Sequence, residues 1–202
     1  MINHYTANKR LRSNDAYTTD NKSGMRPDRA SIIYSNILKE LFPDVPVVLG
    51  GLEASLRRVT HYDYWDDKLH KPILVDSKAD LLVYGMGEAP LQELVKKLND
   101  GIPFHQITDI PQTAYISDSD KILHFRERKD IHLFSYEECL ADKLNQAKNF
   151  RIIEEQSNQI IAGRILQNCE NRTVVINPHY PPMTEQEIDN SFDLPYTRLP
   201  HP

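Results

Sequence analysis

Apolar positions in the first half of the chain alternate between helical spacing and short continuous runs. In RASIIYSNILKELF, Ile32, Ile33, Ile37, Leu38, Leu41 and Phe42 fall on one helical face, with Pro27 and Asp28 at the opening and Pro43 at the stop. Val45-Pro46-Val47-Val48-Leu49 is then a continuous apolar run that ends at Gly50-Gly51, as strands buried on both faces do. It predicts a parallel central strand. The same order recurs at Ala79-Asp80-Leu81-Leu82-Val83-Tyr84, which ends at Gly85-Met86-Gly87-Glu88. A helix follows whose Leu91, Leu94, Val95 and Leu98 form a buried stripe, closed by Asn99-Asp100-Gly101. The stretch from Glu53 to Lys78 is too long for a bare loop and is predicted to be partly helical.

Further on, Thr113-Ala114-Tyr115-Ile116 predicts a strand, Asp118-Ser119-Asp120 a turn and Ile122-Leu123-His124-Phe125 the returning arm of a hairpin. Ser135 and Glu138 have the spacing of a capping box, opening a helix that runs through Cys139, Leu140, Leu144 and Phe150 and past Arg151. Thr173-Val174-Val175-Ile176 predicts a short strand. Six of the 13 prolines then lie between Pro178 and Pro202, which predicts an extended tail without a capped element, ending like a cut chain. The predicted fold class is α/β: a partial doubly wound, flavodoxin- or Rossmann-like, mainly parallel sheet with helices, followed by an irregular proline-rich connector. Residues 1–25 are expected to be a mobile arm or severed loop, 26–132 the α/β domain, 133–176 a helical segment with a short strand, and 177–202 the connector.

Composition narrows the function classes. At 202 residues the chain can bury roughly two-thirds of its unfolded surface, which suits one core rather than two. No run of 18 apolar residues and no amino-terminal h-region occur, so a membrane span and a secretory signal are excluded and a cytoplasmic location is expected. Cys139 and Cys169 alone cannot make a disulfide framework, a zinc finger or a thiolate-ligated iron–sulfur cluster. With a net charge of −5, affinity for nucleic acid by counterion release is not expected. Lys9, Arg10, Arg12, Lys22, Arg26 and Arg29 form the one local basic cluster that would argue for RNA.

Candidate chemistry gathers at the glycine pairs. Gly50 and Gly51, like Gly85 and Gly87, stand where α/β sheets bind ligands, at the carboxyl ends of strands, and side-chain-free residues let a flat or phosphorylated ligand approach. The plain alternative is two tight turns. Glu53 and Glu88 stand near helix starts, where a carboxylate serves the helix dipole as well as it would serve catalysis. Arg57 and Arg58 suit phosphate or carboxylate recognition, or pairing with Asp63, Asp66 or Asp67. His61, Asp66 and His70 lie in a dense polar and aromatic cluster but lack the zinc spacing of paired histidines four apart on a helix, so no metal site is assigned. No catalytic residue is assigned either.

Three strings carry a family resemblance: NHYTANKRLRSNDAYT, VVLGGLEASLRRVTHYDYWDDKLHKPILVDSKADLLVYGMGE and FDLPYTRLPHP. Together they resemble the YgiQ family of bacterial radical-SAM proteins over nearly the whole chain. The resemblance implies an accessory domain of the cobalamin-binding type, with Gly50, Gly51, Gly85, Gly87 and Glu88 bordering its ligand crevice and Arg57 and Arg58 facing it. It also implies a radical-SAM barrel in the same polypeptide, holding a 4Fe–4S cluster and S-adenosylmethionine. The Cys-x3-Cys-x2-Cys run of that barrel is expected after the PHP string and is not in this sequence. The D-x-H-x-x-G loop that supplies a cobalt ligand in some cobalamin domains is absent, which counts against cobalamin. The alternative is a stand-alone α/β module that binds a small ligand in the glycine-lined crevice.

Overall fold

The computed structural model describes residues 4–118 and 130–199. Six strands form one sheet in the order β1 (Val48–Leu49), β4 (Leu81–Val83), β5 (Thr113–Asp118), β8 (Arg172–Ile176), β7 (Arg164–Cys169) and β6 (Asp130–His132). Pairing is parallel at the two ends of the sheet, β1 with β4 and β6 with β7, and antiparallel through the middle. The α/β class holds, in a mixed sheet whose parallel pairs sit at its edges. The core gathers on β4, β5 and β8, with Leu82, Ala114, Val174 and Ile176 buried together with Ile73 and Leu74. A smaller cluster of Leu81, Leu94, Ile107 and Ile110 packs separately.

Between β1 and β4 the chain folds as α2 (Gly51–Leu56), the antiparallel hairpin of β2 (His61–Asp63) and β3 (Lys68–His70), and α3 (Ile73–Ser77). The partly helical connection is thus present. The helices α1 (Ala30–Leu41) and α4 (Glu88–Asn99) are also where the apolar spacing puts them, but their burial differs. On α1, Ile33, Ile37, Leu38 and Leu41 are exposed, and on α4 only Leu94 of the expected stripe is buried. Val48 is exposed as well, because β1 is the edge strand of the described sheet rather than a central one. Periodicity reports which face is apolar; the described residues supply no layer to cover it.

The second half departs further. The expected single helix is two: α5 (Tyr136–Ala141), opened by the Ser135–Glu138 capping box, and α6 (Lys143–Ser157), opened by Asp142, whose side chain accepts from the Leu144 amide at 2.9 Å. An extended Asp142 breaks the run, and Leu144 and Phe150 end up exposed. Strand β7 went unpredicted because Arg164, Gln167 and Asn168 interrupt its apolar positions; Arg164 is nonetheless buried against Asp130 at 2.8 Å. The proline-rich tail is not wholly extended. It carries α7 (Glu185–Phe192), with a second capping box between Thr184 and Glu187. The predicted turn and returning strand over 119–125 lie outside the described residues.

The amino-terminal segment packs against the β2–β3 hairpin: the Tyr5 ring meets Trp65 at a tilt of 43° with centroids 4.8 Å apart, and the Lys9 ammonium lies over the Tyr64 ring at 4.4 Å. Buried Asp15 holds Arg26 through two 2.8 Å bonds, and Arg29 turns inward to Asp63. Two of the six basic side chains of this segment are therefore already committed to buried carboxylates, and Lys22 pairs at the surface with Asp20 at 3.4 Å. No described helix is long and apolar enough to cross a membrane.

Candidate functional site

The two glycine loops meet. Gly50 is extended and caps α2, while Gly51 takes a φ of +83°, a left-handed conformation that favours glycine. One turn later Ser55 donates its hydroxyl to the Gly51 carbonyl at 2.8 Å and accepts the Gly85 amide at 3.1 Å. One hydroxyl thus ties the loop after β1 to the loop after β4. Gly85 has a φ of +69°, and a Cβ there would stand 3.1 Å from Nε2 of Gln112. That same Nε2 donates to the carbonyls of Tyr84 and Met86 at 3.0 and 2.9 Å, so a side chain on Gly85 would press on the group that holds the loop. Gly87 caps α4, and a Cβ there would meet Leu91 and Val83 at ordinary contact distance, 3.6 and 3.7 Å.

Because β8 and β4 run in the same direction across the sheet, the residues that follow β8 lie at this same carboxyl edge. There a cleft of about 350 Å³ opens between Ser55, Arg58, Tyr84 and Gly85 on one side and Ser157, Gly163, Asn177 and His179 on the other. Tyr84 forms its wall. Its hydroxyl donates to the Asn177 carbonyl at 2.5 Å, and burial pushes that hydroxyl up to about 12. His179 sets its ring nitrogens 2.6 Å from the Tyr180 carbonyl oxygen and 2.8 Å from that of Gln159, which pins the tail beside α6.

Of the eight candidate residues, the structure brings Arg58 and Gly85 into this cleft, with Gly51 linked through Ser55. Glu53 and Arg57 turn elsewhere. Glu53 accepts from the Ser31 hydroxyl at 2.7 Å and pairs with Arg57 at 3.0 Å, and Arg57 goes on to Asp63 at 3.3 Å. These contacts fasten α1, α2 and the hairpin together. Glu88 lies in a neighbouring cavity of about 270 Å³ with Met86, Gln112 and Tyr180, and its Oε2 is out of water contact and without a hydrogen-bond partner. Ser55, Tyr84, Asn177 and His179 escaped the sequence reading. The signal for Ser55 was its place one helical turn after Gly51; the last two depend on strand order, which spacing does not reveal.

Arg58 is half-buried and its guanidinium lies over the Tyr84 ring at 4.9 Å. It donates to the Ser55 carbonyl, a short contact, and pairs with no carboxylate among the described residues. Burial lowers its pKa, and Glu154 of α6 opposes that only at longer range. The cluster around the hairpin is closed by contrast. Asp63, 1% exposed, accepts from Arg29 at 3.2 Å, Arg57 at 3.3 Å and the Trp65 amide at 2.8 Å. The Arg29 guanidinium also stands 3.0 to 3.2 Å from the two ring nitrogens of His70 and reaches Asp66, so a fixed cation already sits where His70 and Asp66 could have shared a metal. Among the described residues no group of three or more histidine, cysteine or acidic side chains could hold a metal ion. Cys139 and Cys169 are buried, and burial pushes each thiol up to about 11, so neither suits thiolate ligation.

The family model described as "Radical SAM N-terminal" matches residues 1–202. A "UPF0313 protein" of Porphyromonas gingivalis is 60% identical over the whole chain, which covers 32% of that relative. One of Bacteroides thetaiotaomicron is 56% identical, with 100% of this chain and 34% of the relative covered, and one of Geobacter sulfurreducens is 44% identical, with 100% and 33% covered. The chain spans about a third of the length of the curated relatives it matches. No solved structure matches it. A match that runs through every residue, with such identities to proteins some three times as long, makes this chain an amino-terminal part of a larger polypeptide and a member of the radical-SAM N-terminal family that includes the UPF0313, or YgiQ-type, proteins.

Proposed function

We propose that this chain is the accessory α/β part of a radical-SAM enzyme, and that its carboxyl-edge cleft borders the substrate cavity formed with the catalytic barrel of the same polypeptide. The observation that carries the reading is the family match over all 202 residues together with relatives three times as long. The apolar faces of α1 and α4 support it, since the exposed pairs one turn apart, Ile37 with Leu41 and Leu91 with Val95, make apolar strips of the kind that packed polypeptide covers. The 4Fe–4S cluster and S-adenosylmethionine belong to the full-length protein in this reading, which also expects a cytoplasmic location. The residues in hand do not fit a cluster: two buried, protonated thiols are no ligand set. No chemical step is therefore derived from them, and the chain's contribution is to position and shield.

The test uses the full-length polypeptide, reconstituted anaerobically with iron and sulfide and checked for its cluster by electron paramagnetic resonance. With a strong reductant and S-adenosylmethionine it should release methionine and 5′-deoxyadenosine. A polypeptide that holds the cluster and releases neither overturns the reading.

A further inference from the structure

We propose that Arg58 is the oxyanion anchor of the carboxyl-edge cleft, and that the cleft receives a small molecule through a phosphate or carboxylate group. The proposal deepens the reading of the cleft as a border of the substrate cavity and rests on it. Its core is the contrast between two consecutive arginines. Arg57 has two carboxylates, Glu53 and Asp63, within 3.3 Å. Among the described residues Arg58 has none, although it too is half-buried. A guanidinium taken partly out of water loses solvation that only hydrogen bonds and opposite charge return. Here it receives one backbone carbonyl and the face of Tyr84, which leaves most of its five N–H donors unspent.

The surroundings suit an anion with an organic body. Tyr84 is locked by its bond to the Asn177 carbonyl, so the ring beneath the guanidinium is fixed, and a planar guanidinium carries a fork of donors that matches a carboxylate or phosphate. The cleft's 350 Å³ fits a small metabolite. Arg58 also lines a second opening of about 640 Å³ on the other side, against α6, with Thr60, Gln146 and Phe150. There the Thr60 hydroxyl, on a residue 2% exposed, and the Gln146 amide oxygen are both without partners. Buried polar atoms of this kind are ordinarily satisfied, by ordered water or by a ligand group. Glu154 lines that second opening and not the cleft, so its charge leaves the choice of headgroup, phosphate or carboxylate, to the cleft itself.

The adjacent arginines make their own control. In the full-length polypeptide without cluster or S-adenosylmethionine, phenylglyoxal should modify Arg58 faster than Arg57, as read by fragmentation of the peptide that carries both. Phenyl phosphate or benzoate, added at constant ionic strength, should slow modification of Arg58 at least tenfold and saturably while leaving Arg57 unchanged; benzyl alcohol should do nothing. Whichever anion protects at lower concentration identifies the headgroup. In calorimetry Arg58→Gln should abolish binding of that probe, and Arg58→Lys should retain it more weakly. Equal protection of both arginines, no protection by either anion, or undiminished binding by Arg58→Gln overturns the proposal. Because the assay contains no cluster chemistry, protection of Arg58 in a polypeptide that cleaves no S-adenosylmethionine would leave this proposal standing while the enzymatic reading fails.

Discussion

The hairpin cluster and the carboxyl-edge cleft are built from the same kinds of residue and end in opposite electrostatic states. Around β2 and β3 the cations Arg29 and Arg57 converge on one buried carboxylate, and each has a second acid, Asp66 for Arg29 and Glu53 for Arg57. A few residues along, Arg58 meets a tyrosine ring and a carbonyl oxygen but no acid. Helical geometry accounts for the split. Arg57 and Glu53 are four apart on α2 and its carboxyl-terminal cap and share a face, while Arg58 lies past that cap, where the chain has left the helix, and sets its guanidinium over Tyr84. Charge satisfied within the chain is scaffold, and charge left open at a cleft is the part available to a ligand.

The most severe way to break that contrast is to remove the hub. Asp63 accepts three hydrogen bonds while 1% exposed; burial raises its pKa, but the Trp65 amide and the two guanidiniums outweigh this and hold it below the usual range. Asp63→Ala leaves Arg29 and Arg57 half-buried and facing each other, so stability should fall by about 3–5 kcal/mol. Urea denaturation measures it. A loss below about 1 kcal/mol would mean that the cluster is no more closed than the cleft.

A second probe of the closed region is proton uptake. Burial, helped by Arg57 and His70, lowers the pKa of His61 to about 4, although its Nδ1 hydrogen-bonds the Val59 carbonyl. The unfolded chain binds this proton near pH 6.5, so the native state's advantage is complete above that value and is lost as pH falls toward 4. Between pH 7.5 and 5 the loss should be about 2 kcal/mol. The difference between the protein and His61→Gln across that range isolates it. Parallel pH curves for the two proteins would show that His61 titrates as if in water.

Much of this architecture was legible in the sequence where local chemistry decides it. The Ser135–Glu138 capping box and the strand at Leu81–Val83 follow from neighbours in the chain. What escaped depends on distant partners. Nothing near Arg164 shows that Asp130 will neutralise it in a strand, and nothing near Asn177 or His179 shows that the order β4-β5-β8 carries them to the glycine edge. The exposed row on α1 failed for the converse reason: its periodicity is right, and what covers it is not among the described residues. For the candidate site, residue types were readable but allegiance was not. Arg57 and Arg58 look alike until Asp63 is seen to reach only one of them.

That allegiance predicts the smallest effect. Arg58→Met keeps the aliphatic stem on Tyr84 while removing a charge that has no carboxylate partner, so it should change stability by less than about 1 kcal/mol in either direction. Arg57→Met, one residue away, should cost about 2 kcal/mol, because it strips Glu53 and Asp63 of a shared partner even though Arg29 still holds Asp63. Denaturation curves of the two variants side by side decide it. If Arg58→Met proves the costlier, the open arginine carries structure after all, and the cleft loses the feature that sets it apart from the hairpin. If the order is as stated, a half-buried cation persists at the sheet edge without stabilising the fold, and its role must be sought in what binds there.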